Sequence, residues 1–118
     1  YDGYKIVRPN RFVEDSEVVD LYSGARCVAL PSIHEGFGMP VIEALACGTP
    51  VVGADIPSIR EAGGELISYC DPLDVSNISQ TLKTTLETPV TPSFQKKAIT
   101  WARSFTWERT VSLLLQDL

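Results

Sequence analysis

Residues Cys27–Gly53 read CVALPSIHEGFGMPVIEALACGTPVVG. The run Cys27–Leu30 is short, continuous and apolar, the pattern of a strand buried on both faces. Pro31–Gly38, with its proline and two glycines, reads as a loop. Pro40 suits the first helical position, where a missing N–H costs nothing. Met39–Cys47 is apolar except for Glu43, and Gly48 suits the left-handed position just past a helix end. Val51–Gly53 then repeats the buried-strand pattern. Strand, loop, helix and strand in this order make a βαβ unit, whose two strands run parallel.

The same alternation extends outward in both directions. Lys5–Val7 is a further strand candidate. Asp15 or Ser16 can cap a helix to about Ser23, with Val18, Val19, Leu21 and Tyr22 on its inner side and Gly24 at its end. Downstream, Ser58-Ile59-Arg60-Glu61 matches the S-x-x-E capping box and starts a short helix that Gly63-Gly64 ends. Leu66–Tyr69 reads as the next strand. Asp74 can cap a helix to about Leu86, on which Val75, Ile78, Leu82 and Leu86 recur at helical spacing. Pro89 and Pro92 break the chain before a helix that reaches about Arg103. Thr106 can cap a last helix carrying Val111, Leu114 and Leu115 on one side. The expected fold is therefore α/β, a Rossmann-like parallel sheet with flanking helices.

The chain has 118 residues, enough for one domain or part of one. Its 44% hydrophobic and 21% charged residues are those of a globular protein, not a disordered tail. With 15 acidic and 10 basic side chains the net charge is −5, and the basic residues are scattered, which argues against a nucleic-acid binder. No apolar run approaches the length of a membrane span, and no signal-peptide pattern is present. The chain starts on Tyr1 rather than Met, as expected of a processed product or a fragment. The cysteines, Cys27, Cys47 and Cys70, are odd in number and form no C-x-x-C pair, so neither a disulfide framework nor a zinc site is expected. A reducing, cytoplasmic setting fits them, and the single His34 has no partners with which to build a metal site.

In open parallel sheets ligands bind outside the carboxyl ends of the strands. Pro31–Gly38 leaves one such end. Gly36 and Gly38 let backbone amides approach a ligand just before a helix N-terminus, where unpaired donors and a positive partial charge favour phosphate or hydroxyl oxygens; a plain tight turn would use the same glycines. Glu43 is the one charge in an apolar helix. A buried carboxylate is costly without hydrogen-bond donors. Its place in the first turn typically gains a few tenths to about 1 kcal/mol from the helix dipole, small against a burial cost of several kcal/mol. Either the two hydroxyls of a ribose or a salt bridge to a residue of a neighbouring element is therefore expected to meet it. Glu35, eight residues earlier, can face the same crevice. A glycosidase would need the two carboxylates at a fixed separation, which the spacing alone does not provide. His34 reads as a loop residue, Glu61 as part of the capping box, and Trp101, Phe105 and Trp107 as packing residues.

The run Glu35-x7-Glu43 encloses Gly36-Phe37-Gly38 and is followed by Glu43-Ala44-Leu45-Ala46-Cys47-Gly48-Thr49-Pro50-Val51-Val52. It resembles the retaining glycosyltransferases of family 4. The similarity continues through Asp55-Ile56-Pro57-Ser58-Ile59-Arg60-Glu61, Asp71-Pro72-Leu73-Asp74 and Phe105-Thr106-Trp107-Glu108-Arg109, and so covers the chain from about Phe12 onward. The resemblance implies a GT-B fold of two Rossmann-like domains, with residues 1–118 forming part of the C-terminal, nucleotide-sugar-binding one. It implies that Glu35 is the catalytic-site carboxylate that holds donor-sugar hydroxyls. The amides of Gly36, Phe37, Gly38 and Met39 would contact the sugar and diphosphate, and Glu43 would take the ribose hydroxyls. No metal and no cofactor are implied; a GDP- or UDP-hexose is the substrate. The implied reaction is transfer of a hexose, with mannose the named candidate, to a glycan or lipid-linked acceptor with retention at the anomeric carbon.

A whole member of that family has an N-terminal acceptor domain and two more donor-domain strands, which carry an Arg and a Lys for the diphosphate. Lys5, Arg8 and Arg11 do not align with those cations. With sheet order 3-2-1-4-5-6 this chain supplies strands 3 to 6 only, leaving an open edge. The chain is therefore expected to be inactive alone, as part of a longer protein or completed by another chain, with any membrane contact made through the absent domain. Two other functions use the same pocket: a non-catalytic nucleotide-sugar-binding or assembly module, and a nucleotide-sugar epimerase of GT-B fold.

Overall fold

The computed structural model describes residues 3–9 and 11–116, with the side chains of Trp107, Thr110, Leu113 and Leu114 left out. In chain order the elements are α1 (Asp15–Gly24), β1 (Val28–Leu30), α2 (Met39–Ala46), β2 (Val51–Ala54), α3 (Pro57–Gly63), β3 (Ser68–Cys70), α4 (Val75–Glu87), α5 (Pro92–Arg103) and α6 (Trp107–Gln116). The three strands form one parallel sheet in the order β1-β2-β3. Val28 pairs with Val51, and Val52 with Ser68. The α/β parallel architecture is the one the alternating pattern implies.

The centre of the molecule follows from the apolar runs. Val51 and Val52 of β2, with Val41 and Leu45 of α2 and Ile59 of α3, are fully buried. α2 lies between the sheet and α5, which meets it through the small buried residues Ala98 and Ala102. Small side chains on one helix let a second approach closely, so the apolar α2 is covered nearly all round. α4 covers β2 and β3 from the other side. Its start is fixed as the sequence implies, with the Asp74 carboxylate accepting from the Asn77 amide at 3.0 Å. The Thr106 hydroxyl likewise accepts from the Arg109 amide at 3.2 Å at the start of α6.

Several local expectations are corrected. Lys5–Val7 is exposed and irregular, not a strand; no described strand lies beside it to take up its backbone hydrogen bonds. Cys27–Leu30 is not buried on both faces. The strand is Val28–Leu30 at the sheet edge, where Val28 and Leu30 turn to the core while Ala29, on the opposite face, is exposed. α3 starts one residue earlier than the capping box requires. Pro57 takes its first position with Ile56 as cap residue, so Ser58 lies inside the helix and makes no cap bond. At α1 the cap residue is Glu14, not Asp15 or Ser16, and it makes no side-chain bond. Val19 and Leu21 are exposed, leaving Tyr22 as the α1 side chain packed on the core. The third strand is Ser68–Cys70, shifted from Leu66–Tyr69. The packing roles expected of Leu114 and Trp107 fall outside the described side chains.

Candidate functional site

The loop of residues 31–38 leaves the carboxyl end of β1 and runs straight into α2. Gly38 ends it as the α2 cap residue, with φ at +78° in the left-handed region. It is also a point of close contact, since a Cβ there would sit 3.1 Å from Ile59 Cδ1 and 3.2 Å from Ala62 Cβ. Both demands select glycine. Gly36 has neither: a Cβ there would meet nothing within 4 Å. The first glycine is thus open toward solvent, and the second locks the loop onto α3.

Glu35 is half-buried in this loop, and no described residue gives its carboxylate a hydrogen bond. Phe37 and Met39 are exposed. The Phe37 ring nevertheless has an edge-to-face neighbour in Phe105, with centroids 6.2 Å apart. Phe105 meets Trp101 in the same manner at 5.4 Å. The Trp101 indole N–H donates to the Ala62 carbonyl at 2.8 Å, so Trp101 and Phe105 are packing residues and tie α5 to α3 and to the loop. His34 is an exposed loop residue; Glu61 is exposed on α3 and is not held by the capping box expected for it, because Ser58 lies inside the helix and makes no cap bond.

Glu43 is the fifth residue of α2, in the second turn rather than the first, where the helix dipole no longer helps it. It is half-buried. Its donor comes from a neighbouring element: the Tyr22 hydroxyl of α1 donates to Glu43 Oε2 at 3.0 Å. Burial, followed by the hydrogen bond to the Glu43 carboxylate and its negative charge, pushes the Tyr22 phenol up to about 12, so it stays a donor at any ordinary pH. The backbone of Tyr22 is held in turn, its carbonyl accepting from the Thr49 hydroxyl at 2.7 Å. The sequence marked Tyr22 only as an inner-side residue. The signal for more was present, since Tyr22 is the one residue of the inward set Val18, Val19, Leu21 and Tyr22 with a hydrogen-bonding side chain.

A second group at the same end of the sheet was not foreseen. Asp55 follows β2, Asp71 follows β3, and with Tyr69, Cys70, Pro72 and Asn77 they line a polar cavity of about 470 Å³. Arg60 forks onto both oxygens of Asp55, with one bond of 2.9 Å, and its hydrogen bonds hold that exposed carboxyl below its usual range. The same guanidinium lies 4.4 Å from the Tyr69 ring centroid. Among the described residues no group of three or more His, Cys, Asp or Glu side chains could hold a metal ion. Of the basic residues near the amino end, Lys5 and Arg8 are exposed, and Arg11 pairs with Glu17 at 3.0 Å. No helix among the described residues is long and apolar enough to cross a membrane.

Comparison with known proteins places this geometry. The chain is 35% identical over 98 residues to the O-antigen chain mannosyltransferase B of Escherichia coli, covering 82% of this chain and 26% of that protein. It is 38% identical over 99 residues to the D-inositol 3-phosphate glycosyltransferase of Salinispora arenicola, covering 81% and 22%. The chain thus spans about a quarter of the length of these relatives. Among solved structures, the sucrose-phosphate synthase of Thermosynechococcus elongatus superposes with a TM-score of 0.74 at 25% identity, over 88% of this chain and 27% of that one. Residues 7–104, which hold the whole sheet, the glycine loop and both glutamates, match the family described as glycosyl transferases group 1. The chain belongs to the group 1 glycosyl transferases.

Proposed function

We propose that this chain is the nucleotide-sugar-binding part of a retaining glycosyltransferase that moves a hexose, mannose in the first instance, from a GDP- or UDP-sugar to a glycan or lipid-linked acceptor. The observation that carries this is the junction of residues 31–43. A loop at the carboxyl end of a parallel strand holds an open glycine, locks itself with a second, and feeds a buried helix, with a half-buried carboxylate at either end. In this reading Glu35 is the catalytic-site residue that binds donor-sugar hydroxyls. The amides of Gly36, Phe37, Gly38 and Met39 hold the sugar and diphosphate, and Glu43 receives the ribose. The mannosyltransferase among the relatives supports mannose and a glycan acceptor.

The chemistry then asks little of side chains as acids or bases. The bond from the anomeric carbon to the diphosphate breaks. The acceptor hydroxyl bonds to the same face of the sugar, and its proton passes to the leaving diphosphate. The protein contributes positioning and stabilisation of the leaving charge. Arg11 is paired with Glu17 and Arg60 with Asp55. Since this chain spans about a quarter of its relatives' length, the cations for the diphosphate, the acceptor site and the strands beside the open β1 edge are assigned to a longer protein, working in the cytoplasm without a bound metal. The test is to incubate the full-length protein with GDP-mannose and an oligosaccharide acceptor in the presence of a chelator, and to read the new linkage by NMR. An α-linked product is expected. A β-linked product, or an altered nucleotide sugar with no transfer, would overturn the retaining-transferase reading.

A further inference from the structure

The Glu43 carboxylate sits on a long side chain at the rim of the core, and such a side chain is free to rotate unless something holds it. A carboxylate that must meet a ribose in one orientation gains from being held there beforehand, because ordering it on binding costs affinity. The structure holds it. The Tyr22 hydroxyl reaches across from α1 to Oε2 at 3.0 Å, and leaves Oε1 without a protein donor among the described residues. Tyr22 is itself fixed on both sides, its ring packed against the buried cluster and its carbonyl bonded by the Thr49 hydroxyl, which is buried at the turn after α2. Tyr22 and Thr49 thus tie the segment before β1 to the end of α2 across the carboxylate.

We infer that Tyr22 is a positioning residue for nucleotide recognition: its hydroxyl fixes the Glu43 carboxylate in the orientation that receives the donor's ribose hydroxyls. This rests on the assignment of Glu43 to the ribose. Purely structural packing by Tyr22 would affect any ligand of the site alike. A positioning role affects only ligands that carry the ribose hydroxyls.

The test is calorimetric titration of the full-length protein with GDP, UDP and the 2′,3′-dideoxy form of each. The unmodified protein should bind one ribonucleotide at least about tenfold more tightly than its dideoxy form, as expected for charge-assisted hydrogen bonds to a carboxylate. Tyr22→Phe keeps the ring and its packing. It should weaken the ribonucleotide by about tenfold and leave the dideoxy form unchanged, and in a Glu43→Ala background it should cost nothing further. Equal weakening of both forms by Tyr22→Phe, or weakening of neither, overturns the positioning role while the ribose assignment stands. Equal binding of both forms by the unmodified protein overturns the ribose assignment, and the positioning role falls with it. Binding of none of the four overturns nucleotide recognition itself.

Discussion

Gly38→Ala is expected to destabilise the fold by about 2–5 kcal/mol, and to remove nucleotide binding with it. Part of the loss is conformational, since holding an L-residue in the left-handed region costs roughly 1–2 kcal/mol, and Gly38 sits at φ +78°. The rest is steric. The new methyl would press on Ile59 Cδ1 and Ala62 Cβ at 3.1 and 3.2 Å. Ala62 has nowhere to turn, because its carbonyl is tied to the Trp101 indole, and overpacking of this kind costs roughly 1–3 kcal/mol. For a domain near 100 residues each kcal/mol shifts the melting temperature by roughly 4–8 °C, so circular dichroism would register the change easily. Gly36→Ala is the informative partner. Nothing lies within 4 Å of its Cβ position, so the melt should move by less than about 0.5 kcal/mol while nucleotide affinity falls. A Gly38→Ala protein that melts like its parent would remove the argument that this glycine locks the loop.

The second large effect is expected at Trp101, which holds α5, α3 and the loop in register. Its indole donates to the Ala62 carbonyl at 2.8 Å, its ring meets Phe105 at 5.4 Å, and a Cβ on Gly64 would lie 3.0 Å from it. Trp101→Ala should cost about 3 kcal/mol in urea denaturation, the low end for truncating a buried aromatic, because the residue is half-buried. Trp101→Phe keeps an aromatic ring, smaller than the indole, and strands the Ala62 carbonyl, for about 1–2 kcal/mol from the lost hydrogen bond. Both should also weaken nucleotide binding, since Phe105, which Trp101 supports, is the ring that backs Phe37. Equal stability of all three proteins would show that the aromatic pair is ornamental to the fold.

What the sequence made legible, and what it hid, divides along the range of the interactions involved. β2 could be read because Val51–Gly53 is a short apolar run bounded by Gly48 and Pro50 before it and Pro57 after it, and α4 and α6 because an Asp or Thr cap acts within three residues. The start of α3 was misplaced by a competition between two local signals. Pro57 and the Ser58 capping box offer starts one residue apart, and the fixed proline dihedral prevailed. The half-exposure of β1 was hidden because an apolar run looks the same at an edge as at a centre. Lys5–Val7 had suitable residues and no neighbour. At the site, Glu35, Gly36, Gly38 and Glu43 stood out by residue type and spacing, but the half-buried Glu43 takes a neutral hydroxyl donor from another element, where its isolation pointed to a salt bridge or a ribose. That the donor is Tyr22, 21 residues away, depends on how α1 lies against α2, which no local pattern encodes. The Asp55–Arg60–Tyr69 group was missed for the same reason, since Tyr69 joins it only through the pairing of β3 with β2.

The most direct measurement is the thermal melt of the protein with GDP-, UDP- and ADP-sugars, each beside Glu43→Ala. A ligand that binds only the folded chain at a hundredfold excess over its dissociation constant adds about 2.7 kcal/mol, which is a shift of many degrees at this size. The account predicts one cooperative transition, raised by one of the three nucleotide sugars and not raised in Glu43→Ala. A transition that none of them moves, or one that they move equally in the parent and in Glu43→Ala, would contradict the assignment of this loop and helix to nucleotide-sugar binding.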